Sequence, residues 1–481
     1  MSTTRQCITQ ARTKIVATIG PACDSAESLA KLIELGVDVF RINAAHGTQA
    51  DYAQKLNNII EARRITGFRA AVLLDLSGPK IRLGKLFQDP LEVSPGNELT
   101  FVRGETTSSS HEMCSNYERL VDEVREGDSI LLADGIIALS VTEKQRDSFK
   151  CRVVTAGTIR SRQGINLPGV TLSVSSMLPT DIENAIWAAR NEIDFVSLSF
   201  VRNAQDVLSL KNMIGSLNSR ALVIAKIEKR EALLNLDSIV DAADGVMVAR
   251  GDLGVEIDVA ETPVAQKRII DVCRSKLKPV IVATQMLESM HENRRPTRAE
   301  ASDVANAILD GADACMLSGE TAIGKYPAEA VETMNRIMMY TEKMLDGRPN
   351  AVGISGIDPS QVDPITSAVT FRASNIAEEI GAKLVVVASR SGSTAWLQAK
   401  QRSYVPTLGI SDNEATLRRM CLFWGIMPLW VESVENIQAL IERVTAWGQD
   451  TGVLAKGDRV VFVSGSGIFE KTHNLLFVHQ I

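Results

Sequence analysis

Eight short apolar runs, unbroken rather than alternating, set the strongest limit on how this chain can fold. They cover residues 14–20, 37–43, 70–76, 195–201, 222–228, 245–249, 279–285 and 314–318. A strand apolar on both faces must be covered on both faces, as a parallel strand between layers of helices is. The stretches between them carry helical periodicity. Residues 25–35 and 182–190 read as helices, and 297–309 reads as a capped amphipathic helix. Eight such strands alternating with helices predict an α/β fold, a closed (β/α)8 or TIM barrel.

The alternation breaks once. Between residues 84 and 168 the chain reads as β, with strands at 98–102, 129–132, 136–142 and 149–155. Gly- and Asp-rich turns such as Ala133-Asp134-Gly135 join them. This predicts an all-β domain, a small β-barrel lid, inserted after barrel strand three. The barrel then comprises 1–83 and 169–345, close to the roughly 250 residues typical of the fold. Residues 347–363 read as a linker rich in Gly, Pro and Asp. A helix at 365–380 and strands at 384–388, 407–410, 428–431 and 459–463 follow. They predict a third domain, 346–481, with an open and mostly parallel α/β sheet. Three domains suit a chain of 481 residues.

Composition narrows the function. Lys plus Arg is 52 against 58 Asp plus Glu, a net charge of −6, which argues against a broad nucleic-acid surface. No apolar run approaches the ~20 residues of a membrane span. Residues 1–14 lack the apolar core of a secretory signal. The seven cysteines include no C-x-x-C pair and read as reduced core thiols. A soluble cytoplasmic protein is expected.

In a barrel of this type, chemistry sits where strands end and loops begin. Strand two runs into Arg41, Asn43 and His46, and strand three ends at Asp75. Strand five ends in Lys226 and Glu228, and strand six runs into Arg250, Gly251 and Asp252. Strand seven ends in Thr284 and Gln285, and strand eight in Ser318 and Glu320. Each alone reads more readily as a barrel-end ion pair or a turn than as a functional group; together, at one rim, they point to a site. Glu228 and Asp252 are hard carboxylates on neighbouring strands, suited to Mg²⁺ or Mn²⁺. Lys226 and Arg41 are fixed cations beside them. That combination serves phosphoryl transfer, where charge on the moving group must be neutralised. Backbone N–H groups at Gly251 and Asp252 suit a carboxylate or phosphate. The stretch from Gly319 to Lys325 nearly matches a P-loop, but Tyr326 replaces the required hydroxyl residue and Pro327 follows, so the match reads as chance.

These motifs resemble the pyruvate kinase family over essentially the whole chain. The resemblance rests on the blocks starting Arg41-Ile-Asn-Ala-Ala-His-Gly47, Asp75-Leu-Ser-Gly-Pro-Lys-Ile-Arg82 and Gly164-Ile-Asn-Leu-Pro-Gly169. It continues through Ile224-Ala-Lys-Ile-Glu228, Met247-Val-Ala-Arg-Gly-Asp-Leu-Gly254, Ala283-Thr-Gln-Met-Leu-Glu-Ser-Met290 and Met316-Leu-Ser-Gly-Glu-Thr321. It implies the reaction of phosphoenolpyruvate with ADP to give pyruvate and ATP, in a homotetramer. It also implies roles. Lys226 stabilises the phosphoryl group in flight, Arg41 contacts it, and Thr284 lies near the carbon that is protonated. Glu228 and Asp252 hold Mg²⁺, while Gly251 and Asp252 offer N–H groups to the substrate carboxylate. Asn43, His46 and Arg82 lie on the nucleotide side. The inserted domain would close over the site and exclude water.

Departures from the family pattern matter. Ala45 stands where potassium-dependent members have a hydroxyl, and Lys80 where they have Glu. Asn43 and Asp75 remain from the monovalent-cation site, and the Lys80 ammonium could substitute for the ion. K⁺ independence is therefore expected. Gln163, preceded by Arg160 and Arg162, replaces a lid lysine. Ser389-Arg-Ser-Gly-Ser-Thr394 resembles the family's phosphate loop for sugar-phosphate activators. Ser389, Ser391, Gly392, Ser393 and Thr394 thus form a possible effector site. Competing readings are a metal-dependent barrel lyase or aldolase on 2-keto acids and a catalytically silent effector-binding paralogue.

Overall fold

The computed structural model of the chain describes residues 10–170, 172–346, 363–465 and 474–481. Each of the eight apolar runs contains a strand, and together they close into a parallel barrel in sequence order. Barrel strands one to eight are Lys14–Thr18, Val37–Asn43, Ala71–Asp75, Phe195–Leu198, Leu222–Ile227, Gly245–Ala249, Val280–Ala283 and Ala314–Leu317. The expected helices are present as Ala26–Leu35, Pro179–Arg190 and Arg298–Asp310. Ser25 caps the first. Thr297 and Glu300 form a reciprocal capping box at the last, satisfying N–H groups that a first turn leaves without partners.

Alternation splits each strand into two buried sets. Ala17, Phe40, Ile42, Leu74, Val223 and Val248 pack outward against the helices. Val16, Val39, Leu73, Phe195, Ile224 and Met247 fill the interior. Both sets are removed from water, which is why the runs show no polar alternation. Each large side chain so buried stabilises the fold by about 1.5–3 kcal/mol.

The base of the barrel is tied by a repeated device that alternates around the ring. Asp38, Asp194, Asp244 and Asp313 lie at the starts of the even strands. Each accepts a backbone N–H from the preceding odd strand: Ile15 at 2.9 Å, Val72 at 2.9 Å, Val223 at 2.8 Å and Val280 at 2.9 Å. Their charges are balanced locally. Lys14 faces Asp38 at 3.6 Å and Lys211 meets Asp244 at 2.8 Å. Arg418 meets Asp194 at 2.8 Å, and Lys400 and Arg402 meet Asp313 at 2.7 and 2.9 Å. The last three cations belong to the C-terminal domain, so the same aspartates dock that domain under the barrel.

The inserted domain sits toward the opposite mouth. Its strands Glu98–Val102, Ser129–Leu132, Ile137–Lys144 and Ser148–Val153 follow the sequence reading closely. Two strands of two residues, Glu112–Met113 and Ile165–Asn166, complete a six-stranded sheet, and Leu91–Val93 with Gly157–Ile159 forms a separate pair. Strands so short carry no readable period. Stacked rings of Phe101 and Phe149, 4.8 Å apart, lie in its core, which also takes Ile81 and Leu83 from the connecting segment. In the Ala133-Asp134-Gly135 turn all three φ angles are positive, at 51°, 55° and 89°. The tip reaches the barrel: a Cβ on Gly135 would lie 3.7 Å from Val255.

The C-terminal sheet runs in the order Ile426–Trp430, Thr407–Ser411, Leu384–Ala388, Arg459–Ser464, Leu475–Gln480. Four strands are parallel, and the last is antiparallel. Leu475–Gln480 went unread in the sequence because its partly exposed, mixed side chains give neither period. The linker, up to residue 362, and residues 466–473 lie outside the described residues. The six cysteines described are buried, and no disulfide joins them.

Candidate active site

The inward-facing row changes character at the C-terminal mouth. Thr18, Arg41, Asp75, Ser197 and Lys226 each stand two residues beyond an apolar interior residue, and Glu228 follows Lys226. All are buried except Lys226, which is partly so. Strand register sets Asp75 beside Asn43 on one flank and Ser197 on the other.

Asp75 is the hub. It accepts from Arg41 Nε at 2.9 Å and Nη2 at 2.5 Å, from Ser197 Oγ at 2.6 Å, and faces Lys226 Nζ at 3.3 Å. Burial raises its pKa, but the Lys226 and Arg41 charges and the bonds from Ser197 and Arg41 outweigh this and hold it below the usual carboxylate range. Lys226 also donates to Ser199 Oγ at 2.8 Å and lies 2.9 Å from Glu228 Oε1. Burial depresses the ammonium, yet Asp75 and Glu228 more than offset that and keep it above the usual lysine range. Glu228 accepts the Phe200 N–H at 2.6 Å. Its carboxyl is pushed up by burial; Lys226 opposes the shift and the negative charge of Asp252 adds to it. Two hard carboxylates that repel across adjacent strand ends fit a divalent cation such as Mg²⁺.

Asp252 lies in the first turn of the helix Arg250–Glu256, with Lys80 Nζ 3.6 Å from its Oδ1. Beside it, the Gly251 N–H donates to Thr284 Oγ1 at 2.8 Å. Thr284 and Gln285 are both left-handed, at φ 66° and 54°. For a β-branched residue this is a strained conformation that only its surroundings can impose. Arg250 imposes it: Nη2 donates to the Thr284 carbonyl at 2.7 Å and the Gln285 carbonyl at 3.0 Å, while Nη1 holds Asp303 at 2.6 Å.

The remaining expected residues are dispersed around this centre. Asn43 Oδ1 accepts the Ala45 N–H at 3.1 Å, and His46 is exposed in the same turn. Arg82 donates to the Arg162 carbonyl at 3.2 Å, at the root of the lid. Gln163 folds back on its own turn, accepting the Arg160 N–H at 2.9 Å, and Arg160 and Arg162 are exposed. A cavity of about 320 Å³ separates the lid root from the rim, with Lys80, Asn166, Phe200, Lys229 and Glu256 in its wall. In the C-terminal domain, Ser389 Oγ accepts the Gly392 N–H at 3.0 Å and the Ser391 and Ser393 hydroxyls meet at 2.8 Å. This loop leaves the central strand Leu384–Ala388 and enters the helix Ser393–Lys400.

Four contributors escaped the sequence reading: Thr18, Ser197, Ser199 and the Phe200 N–H. The serines carried a signal. They alternate within the run Phe195-Val-Ser-Leu-Ser-Phe200, which aims both at the interior. Arg250 was placed at the rim by its position after strand six, but its hold on the Thr284 and Gln285 carbonyls left no local signal, because they follow another strand.

Two family patterns match in chain order: the pyruvate kinase barrel domain over residues 10–331 and the pyruvate kinase alpha/beta domain over 367–479. The chain belongs to the pyruvate kinase family. A pyruvate kinase of Corynebacterium glutamicum is 41 % identical over 481 residues, covering 98 % of each chain. One from Geobacillus stearothermophilus is 39 % identical over 474 residues, covering 98 % of this chain and 80 % of its own. The crystal structure of a pyruvate kinase from Cryptosporidium parvum superposes with a TM-score of 0.92 at 33 % identity, covering 99 % of this chain and 97 % of that one. The chain is accordingly a phosphotransferase, with phosphoenolpyruvate and ADP as substrates and pyruvate as product, and pyruvate kinases generally use Mg²⁺. Among the described residues no helix is long and apolar enough to cross a membrane.

Proposed function

We propose that the polar layer at the barrel mouth carries out the transfer with a defined division of labour. Lys226 neutralises the phosphoryl group as it leaves phosphoenolpyruvate, and Arg41 contacts the same group. Glu228 and Asp252 would hold Mg²⁺, which would supply neutralisation of the substrate's negative charge. The first turn at Gly251 and Asp252 receives the substrate carboxylate, and Thr284 flanks the carbon that takes the proton. Asn43, His46 and Arg82 serve the nucleotide under the lid. The observation that carries this reading is the convergence of Arg41, Asp75, Lys226 and Glu228 in one buried, mutually bonded layer. A preorganised charge of this kind needs no rearrangement when charge develops in the transition state. The test is a coupled assay of ATP formation from phosphoenolpyruvate and ADP with Lys226→Met. Loss of turnover with Mn²⁺ binding retained supports the assignment, and full turnover overturns it.

The enzyme works without K⁺ on this reading. Ala45 offers no side-chain oxygen, and the Lys80 ammonium stands on the Asp252 side of the site. Sugar-phosphate activation at Ser389, Ser391, Gly392, Ser393 and Thr394 is the regulatory counterpart. It is supported by the loop's place beside the central strand, whose two neighbours lead in opposite directions across the sheet, the customary ligand position in open α/β sheets. A panel of sugar phosphates and AMP in the same assay decides it; no change in rate with any of them removes the proposal. A homotetramer and a cytoplasmic location complete the proposal, the first tested by light scattering and the second by fractionation.

A further inference from the structure

One polar cluster at the rim has no part in this chemistry. The loop after barrel strand seven contains the short 3-10 helix Glu288–His291, and Glu320 follows strand eight. Glu320 is 1 % exposed, and its two oxygens accept the Leu287 N–H at 3.1 Å and the Ser318 N–H at 2.7 Å. Among the described residues no lysine or arginine reaches its carboxylate, so a buried charge there lacks the partner it ordinarily requires. The nearest counter-group is His291, with Nε2 4.0 Å from Glu320 and 3.7 Å from Glu288. That nitrogen is buried and makes no hydrogen bond, and the neighbouring Ser318 Oγ is likewise buried without one. The imidazole lies against bare backbone: a Cβ at Gly319 would meet Nε2 at 2.3 Å. One donor atom from each of Glu288, His291 and Glu320 falls within 4.8 Å of the others.

We propose that Glu288, His291 and Glu320 form a second metal site, separate from Glu228 and Asp252, for a divalent transition ion of the zinc type. One nitrogen and two carboxylate oxygens are a common zinc donor set, with water in the fourth position. Bond lengths of about 2.0–2.2 Å place such donors closer together than they stand here. Glu288, whose side chain is 58 % exposed, can turn inward, and a small rotation of the His291 ring, whose Nε2 makes no hydrogen bond, shortens its 4.0 Å separation from Glu320. Imidazole nitrogen discriminates against Mg²⁺, which prefers oxygen. The bound ion would clamp the loop carrying Thr284 and Gln285 to the loop after strand eight.

The experiment is equilibrium dialysis of the full chain with Zn²⁺ in excess Mg²⁺, on wild type, His291→Ala, Glu288→Gln and Asp252→Asn. Pulsed EPR of the Cu²⁺-loaded protein then reports directly on imidazole nitrogen. The expected result is one Zn²⁺ held per chain in wild type and in Asp252→Asn, with an imidazole signal. His291→Ala should weaken Zn²⁺ by more than the roughly 10–100-fold that follows loss of an outer-shell partner, and abolish that signal. Glu288→Gln, at an exposed position that leaves folding undisturbed, should weaken it as well. No Zn²⁺ in wild type, or undiminished binding in both His291→Ala and Glu288→Gln, overturns the proposal.

Discussion

Lys80 Nζ stands 3.6 Å from Asp252 Oδ1, so an ammonium on the segment leading into the lid faces a carboxylate at the start of the helix after strand six. Both side chains remain partly open to solvent, and the pair itself adds little to stability. Its consequence is functional. Replacing K⁺ by tetramethylammonium should leave the rate nearly unchanged in wild type. Lys80→Glu reverses the local charge and should make the rate depend on K⁺. A wild-type rate that collapses in tetramethylammonium would show that Lys80 has no such role.

Lys226 is held by three groups of the site, Asp75, Ser199 and Glu228. Lys226→Met keeps the length of the chain and removes the charge. We expect kcat to fall by about a thousandfold or more, in line with loss of a preorganised electrostatic donor. The KM for ADP should change little. Circular dichroism checks that the variant folds, and a kcat within tenfold of wild type would sink the assignment.

Asp75 binds two cations at once, and Asp75→Asn leaves both short of a negative charge. Breaking a buried pair in this way costs about 3–5 kcal/mol. The pH dependence follows from the direction of the shift. The folded-state pKa of Asp75 lies below its unfolded value, so its contribution is fully present above roughly pH 4 and is lost as pH falls through the folded value. Lys226 is raised, so its contribution is full below roughly pH 10 and is lost only as pH rises through its folded value. Urea titrations should therefore show a constant gap between wild type and Asp75→Asn from about pH 5 to 9, narrowing in acid. A gap that widens in acid would contradict this.

Arg250 touches no substrate in the proposed arrangement, yet it holds the carbonyls of two left-handed residues. Arg250→Met should lower Tm, because those carbonyls and Asp303 lose their donor. It should also reduce kcat with phosphoenolpyruvate while leaving Mn²⁺ affinity near wild type, because Thr284 is displaced and Glu228 and Asp252 are not. Unchanged kcat alongside a lowered Tm would restrict Arg250 to a purely structural part.

What the amino-acid order determined by itself was the set of elements and the side each residue faces. Val16, Leu73 and Met247 had to point one way and Ala17, Leu74 and Val248 the other, since a strand turns over every residue. Lys226 and Glu228, two apart, were bound to share a side, and long specific blocks such as Met247-Val-Ala-Arg-Gly-Asp-Leu-Gly254 pointed to the family. Only closure of the barrel decided which of these inward groups meet. Asp75 and Lys226 are separated by 151 positions in the chain, and no local pattern records their contact. The same holds for Arg250 on the Thr284 carbonyl and for Arg418 on Asp194. Those partnerships arise because buried charges and carbonyls must find a counter-group in three dimensions, and the nearest one lies on whichever strand the barrel brings alongside.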